Sequence, residues 1–534
     1  MNAVRNWRYA VGAAITAVLT AGLFASAPAG AVGGDVPSGA AYGFLAKVTV
    51  GEPGVGQSCT GALVGARWVV TAKSCFGASV VAGPPAVKTK VTVGRLDLSD
   101  ASAGYVVPAL KVLPHPDRDV ALVQLAATVT GVRPIPVSAQ APAVGEVVSV
   151  LGFGRTAGDW VPSSPRMASF TVSAVDGALT AVAGTTDTQV GPCRGDAGGP
   201  GVRTVNGALE LAAITHSGGQ GGCLGAPADA ARGGTQTRLD DIAGWVRQNT
   251  AEVTVQTLKS QNSGLCLALP SNWTALPAIA IQWSCSGAAD QDWQLNQRAN
   301  GEYEIRNDRS GHCLALEGGA TKDGTPVVQW TCRDNVDQYW QLTKDANGYT
   351  ELRNSFSGKC LAVQGGDVAM KNGAQALIWP CRESNLDQNW TITARTPGGW
   401  VRSAHSSLCM SNGVSLADGA HAVQAACSDL NDMEWTLRTR KDDLVEVRND
   451  RSGQCLAIEG GVTTAGTHLL QWPCRDNVDQ YWRVEATTQG TVVLHNNHSR
   501  MCLAIQGGVK TDAHLLQWNC NGNADQYWTV GRKA

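Results

Sequence analysis

One phrase recurs through the second half of this chain. SGHCLALEGG (310–319), SGKCLAVQGG (357–366), SGQCLAIEGG (452–461) and SRMCLAIQGG (499–508) are near copies, and SGLCLALPS (263–271) and SSLCMSNGV (406–414) are weaker ones. The first Cys of each copy stands at 266, 313, 360, 409, 455 and 502, so the successive steps are 47, 47, 49, 46 and 47 residues. A fixed period of this length marks a supersecondary unit that cannot bury an apolar face alone and must stack on its neighbours. Every copy continues into an apolar run and a second Cys, preceded by Trp two residues earlier except at Ala425. Gln-x-Trp then follows as Gln291/Trp293, Gln338/Trp340, Gln388/Trp390, Gln480/Trp482 and Gln526/Trp528, while the fourth copy reads Met433-Glu434-Trp435. Short runs such as YEIRN, CLALE and PVVQW between Gly, Asn and Asp have the character of β-strands. The break TARTPGGWVRS (393–403) separates copies three and four, which favours two three-fold units, 254–395 and 398–534, over one six-bladed array.

The 16 Cys fall in close pairs, which predicts eight local disulfides: Cys59–Cys75, Cys193–Cys223, Cys266–Cys285, Cys313–Cys332, Cys360–Cys381, Cys409–Cys427, Cys455–Cys474 and Cys502–Cys520. Disulfides on this scale require an oxidising compartment. The N-terminus fits that requirement. Arg5 and Arg8 precede an apolar stretch over 9–26, and small-x-small sites follow at Ala27-Pro28-Ala29 and Ala29-Gly30-Ala31. Residues 1–31 therefore read as a secretory signal cleaved after Ala29 or Ala31, with a membrane anchor as the competing reading. No later stretch is apolar for long enough to span a bilayer, so the mature chain is expected to be extracellular and free of the membrane. The 42 basic and 44 acidic residues nearly cancel, which gives no field for nucleic acid. The sequence shows no zinc-like Cys-x-x-Cys motif or His cluster, so neither metal nor cofactor is expected.

The six copies resemble the ricin B-type lectin domain, a β-trefoil, over about half of the chain (254–534). The resemblance implies one shallow sugar pocket per repeat, walled by the Trp of Trp-x-Cys. Trp330, Trp379, Trp472 and Trp518 are the candidates, with the Gln-x-Trp tryptophans 293, 340, 390, 435, 482 and 528 expected in the core. The family's Asp two residues after the first Cys is replaced by Ala268, Ala315, Ala362, Ser411, Ala457 and Ala504. Its Asn before the Gln is replaced by Asp290, Asp337, Asp387, Asp432, Asp479 and Asp525. A carboxylate thus remains but has moved, and Asp337, Asp387, Asp479 and Asp525 join the four Trp as candidate glycan contacts. Glu317, Gln364, Glu459 and Gln506 lie four residues after the Cys and are further candidates to reach a sugar hydroxyl. Galactose specificity is not implied.

Residues 32–250 carry ordered landmarks: SCTGALVGARWVVTAKSC (58–75), RDVALVQLA (118–126), GPCRGDAGGPGV (191–202), GGCLG (221–225) and GGTQTRLDDIAGWV (233–246). This order resembles the trypsin/chymotrypsin-like serine proteases, two packed β-barrels. The LDDIAGWVRQ segment is expected to form a terminal helix with Ile242, Trp245 and Val246 on one face. In that family a Ser attacks a carbonyl, a His takes its proton and an Asp orients the His. Here Ser74 stands at the His position and Ala197 at the Ser position, and only Asp119 is kept. His115, in LPHPDRD, is expected to be a loop residue, and His216 aligns with the cleft wall. Gly191 at the base of the would-be specificity pocket supplies no charged anchor. AVGG (31–34) resembles the family's mature N-terminus, and Asp196 matches the carboxylate that pairs with it.

The expected fold is therefore all-β, a chymotrypsin-like double barrel followed by two β-trefoils. The expected function is binding: glycan or polysaccharide at the trefoils, and a protein or peptide in a degenerate protease cleft. The competing reading is an active secreted endopeptidase directed to glycan-bearing substrates by its lectin half. A chain whose first half is only a spacer for a carbohydrate-binding half is the third.

Overall fold

The computed structural model describes residues 34–531 apart from 53–55, 186–190, 252–253, 271–275, 287–288, 369, 383–384, 396 and 429–431. The signal segment 1–31 lies outside the described residues, as does most of AVGG.

Alternating burial along the first twelve strands rolls them into two closed six-stranded barrels. The first takes Leu45–Val50, Gln57–Gly65, Trp68–Thr71, Thr89–Val93, Tyr105–Pro114 and Ala121–Leu125. The second takes Val147–Gly152, Arg166–Asp176, Leu179–Gly184, Pro200–Val205, Ala208–Gly218 and Gly234–Arg238. The expected helix begins as a 3₁₀ turn, Asp240–Ile242, and continues as an α-helix, Ala243–Thr250, burying Ile242 and Val246. Trp245 meets the His115 ring edge-on at 4.8 Å, and His115 Nδ1 accepts the Asp117 N–H, so His115 is a packed loop residue.

Beyond residue 254 each repeat supplies a hairpin in which the first Cys pairs with the Trp two residues before the second: Cys313 with Trp330, Cys360 with Trp379, Cys455 with Trp472, Cys502 with Trp518. That register brings the two sulfurs together, and all eight expected disulfides are formed, with no free Cys. Val255–Ser260 pairs with Asn389–Arg395 and closes one three-fold unit on itself. Gly399–Ser403 pairs with Trp528–Gly531 and closes the other. The five Gln-x-Trp tryptophans and Trp435 fill these cores and are the largest fully buried side chains of the described chain. Each indole N–H donates to the carbonyl one residue past the first Cys (Leu267, Leu314, Leu361, Met410, Leu456 and Leu503) at 3.0–3.3 Å. A buried Trp without such an acceptor would be costly, so the Cys-Leu pair and the Trp recur together.

The second trefoil docks on the first barrel. Thr128 N–H donates to Leu437 O (2.8 Å), and Thr439 N–H donates back to Thr128 O (3.0 Å). Arg95, with its side chain 7% exposed, reaches Asp443 at 3.1 Å.

Candidate functional site

The protease-like cleft is built where the first barrel meets the second. A 3₁₀ turn, Lys73–Phe76, places Ser74, and the disulfide from Cys75 to Cys59 anchors that turn to a central strand. Asp119 Oδ1 accepts the Ser74 N–H at 2.7 Å, and Oδ2 accepts the Ser74 hydroxyl at 3.0 Å. The same Oδ2 lies 2.8 Å from His216 Nδ1. The acid therefore holds an imidazole, but one that arrives from strand Ala208–Gly218 rather than from position 74. Sequence reasoning saw His216 at the wall and missed this pairing, because a contact across 97 residues leaves no local signal. The His216 side chain is 39% exposed.

The turn that the sequence assigns to the nucleophile carries Ala197 between two left-handed glycines. Gly195 adopts φ 100° and Gly198 φ 80°, and Gly198 N–H donates to Thr215 O. Between them Ala197 carries only a methyl. Asp196 is fully buried, and among the described residues its carboxylate accepts the N–H groups of Gly154 (2.7 Å) and Cys193 (2.8 Å). Desolvation pushes it up to about 6 against the two backbone donors that pull it down.

Pro192 and Gly218 lie against each other. A Cβ on Gly218 would sit 1.8 Å from Pro192 O, so the two backbone walls are in contact. Gln220 Nε2 donates to Pro192 O (3.3 Å) and Gly218 O (3.1 Å), and its Oε1 accepts the Arg194 N–H, which ties the walls together. The sequence anticipated a pocket with a neutral base; the backbone leaves no room for a side chain between Pro192 and Gly218.

In the trefoils, Trp330, Trp379, Trp472 and Trp518 stand at hairpin edges and are 36–42% exposed, unlike the sealed Gln-x-Trp rings. Trp283 in the first repeat is also exposed and joins this set, although sequence reasoning did not single it out. Two of the moved carboxylates lie beside the Ala positions. Asp387 Oδ2 accepts the Val363 N–H (3.2 Å), beside Ala362, and Asp525 Oδ2 approaches the Ile505 N–H (3.5 Å), beside Ala504. In the fourth repeat Ser411 donates to Asp432 at 2.5 Å. Burial raises the carboxyl groups of Asp387, Asp432 and Asp290 above the usual range. Asp337, Asp479 and Asp525 are partly open. Asp387 is 3% exposed and so is the least accessible of the four candidate carboxylates.

The expectation that no His cluster exists fails in the second trefoil. His421, His468 and His514, 47 and 46 residues apart, converge there (468 − 421 and 514 − 468). Their spacing equals the repeat step, which was the signal available in the sequence.

Comparison with known proteins separates the halves in the same way. The family described as Trypsin matches residues 31–246. The Ricin-type beta-trefoil lectin domain-like family matches 241–330, and the Ricin-type beta-trefoil lectin domain family matches 348–482 and 443–534. The chain is a trypsin-type domain followed by ricin-type lectin domains. Among similar proteins, human "Serine protease 56" is 30% identical over 194 residues, covering 32% of this chain and 30% of that protein. "Serine protease SP24D" of Anopheles gambiae is 31% identical over 189 residues, covering 32% of this chain and 66% of that one. The chain thus spans less than two thirds of either relative. The designed three-fold symmetric protein ThreeFoil, a solved structure, is 29% identical with a TM-score of 0.25, over 26% of this chain and 97% of its own.

Proposed function

We propose that this protein is a secreted glycan-binding protein whose trypsin-type domain does not cleave peptides. The observation that carries the reading is the pair Ser74 and Ala197 around a retained Asp119: the base position holds a hydroxyl bonded to the acid, and the nucleophile position holds a methyl. Loss of triad members removes several powers of ten in rate. The closed contact of Gly218 with Pro192 removes the anchoring slot as well, so any partner of this cleft is held at its surface. Glycan binding is supported by the exposed hairpin-edge tryptophans, whose flat faces suit the apolar face of a pyranose, with the partly open Asp337, Asp479 and Asp525 as candidate hydroxyl acceptors in three of the repeats. Secretion is supported by the eight disulfides and the signal-like residues 1–31.

A second reading rests on one observation, the Asp119–His216 contact, which leaves an oriented imidazole able to activate water. A casein digest decides between the two, and a fluorophosphonate label checks that no side-chain nucleophile is present. We expect no labelling and no cleavage; turnover abolished by His216→Ala would establish the second reading. A glycan array with Trp330→Ala and Trp472→Ala tests the lectin half, with reduced binding expected in both and unchanged binding refuting the stacking sites.

A further inference from the structure

The second trefoil places one histidine from each of its repeats around its own approximate three-fold axis. His421, His468 and His514 precede the Trp-x-Cys position of their repeats by four residues, counting to Ala425, Trp472 and Trp518. Backbone bridges His421 to Leu470, His468 to Leu516 and Val423 to His514 tie the three strands into a ring. The ring centroids lie 5.2, 4.9 and 4.6 Å apart, and one nitrogen from each imidazole falls within 4.8 Å of the others. His514 Nδ1 is buried with no hydrogen-bond partner. A fourth donor stands beside them: Glu459 Oε1 is 3.5 Å from His421 Nε2, and Oε2 is 3.9 Å from His468 Nδ1.

We propose that this cluster is a binding site for a divalent transition-metal ion of the zinc type. Three neutral imidazoles and a carboxylate are the donor set such ions take. Nitrogens bound at about 2.1 Å in a tetrahedral shell sit roughly 3.4 Å apart, so modest side-chain rotation closes the present triangle. The buried, unbonded Nδ1 of His514 is a polar group that an ion would satisfy. Two of the imidazole side chains are 33% and 30% exposed, which gives an ion a route from solvent. The first trefoil is the built-in comparison. Its equivalent positions hold Ile279, Pro326 and Gln375, and equivalent bridges join Gln375 to Ile281 and Pro326 to Leu377. The same backbone ring therefore exists twice, and only one copy carries ligands. The remaining His and Cys groupings use disulfide sulfurs and have no thiolate to offer. A bound ion would cross-link three repeats that otherwise meet through backbone bridges and packing, and it would act on the trefoil that docks on the protease-type domain.

The test uses the full mature chain without a histidine tag. Zinc chloride is titrated calorimetrically, and cobalt(II) is followed by visible absorption. The expected result is saturable binding of one ion per chain, a rise in the thermal midpoint on adding zinc, and a cobalt spectrum of low coordination number. His514→Gln installs the residue that the first trefoil accommodates at the same place, so folding is retained; it and His468→Ala should each weaken binding at least tenfold. Far-UV circular dichroism confirms that both variants are folded. Absence of saturable binding, or binding that survives both substitutions, overturns the site.

Discussion

At the scale of single residues, the exposed tryptophans and their glycines explain one another. Trp518 lies over Gly466 (φ 87°), where a Cβ would come within 3.3 Å of the ring, and Trp472 lies over Gly419 in the same way. In the fourth repeat the Trp is Ala425, and the turn residue that would face it is Asp512, at φ 62°. With no ring to strike, the turn keeps its left-handed backbone but tolerates a side chain. The buried tryptophans obey a different rule. Trp482→Ala removes a fully enclosed ring and its bond to Leu456 O, and should cost about 3–5 kcal/mol in denaturant unfolding. Asp196 makes a pH prediction. Burial pushes its carboxyl up to about 6, above the ordinary 3.8, so the native state holds the proton more tightly than the unfolded chain. The contribution is fully present below pH 3.8 and is lost as pH rises through about 6, a change of roughly 3 kcal/mol. Calorimetry at pH 4.5 and 7.5 should show a smaller difference in Asp196→Asn than in the parent. An ammonium partner for Asp196 would cancel the loss, so a flat parent profile would refute this account.

At the scale of elements, the Gln of Gln-x-Trp closes the loop around the second Cys. Gln480 Oε1 accepts the Arg475 N–H (2.8 Å), and Nε2 donates to Pro473 O (3.0 Å). Gln338 does the same for Arg333 and Thr331. Met433 replaces this Gln in the fourth repeat, and its sulfur is only a weak acceptor for Ser428 N–H at 3.4 Å. Gln480→Met should therefore cost about 2 kcal/mol, two bonds at about 1 kcal/mol each, measured by urea unfolding. The hairpins also explain the disulfides. The antiparallel partner of each first Cys is the residue two before the second, so the bonds are short-range and staple a register already set by strand pairing.

At the scale of the whole molecule, chain order and spatial order differ. The first trefoil follows the protease-type domain in sequence, yet the second makes a β-bridge to the first barrel, Thr128 to Arg438, with Arg95–Asp443 and Lys88–Glu485 beside it. Buried apolar residues run continuously from the first barrel into the second trefoil, while the first trefoil has a core of its own. Scanning calorimetry should accordingly show the first trefoil melting separately from a shared transition of the other two units. Asp443 also accepts the Val106 N–H at 2.9 Å, so Asp443→Ala removes two partners from this junction. It should destabilise the units of the shared transition by about 1–3 kcal/mol, because the enclosed Arg95 loses its carboxylate and keeps only the carbonyls of Ala101 and Ala103. Unaltered melting of the shared transition would mean that the junction contributes nothing to stability.

The all-β class, the two three-fold units and the eight Cys pairs were legible before any fold was known, and so were the residues at the positions expected for the triad. Each of these is written in local spacing or in one position of a motif, such as Ser74 beside Cys75 or Ala197 beside Gly198. The terminal helix was legible as well, from the apolar face of Ile242 and Val246. Only the tertiary structure decided that Asp119 grips His216, that Gly218 closes on Pro192, that Asp387 turns inward against Val363, and that three histidines converge in one trefoil and not the other. Those facts depend on contacts between strands tens of residues apart. A hydrogen bond or a ring contact over that distance is set by how barrels and repeats close on themselves, which no single stretch of chain records.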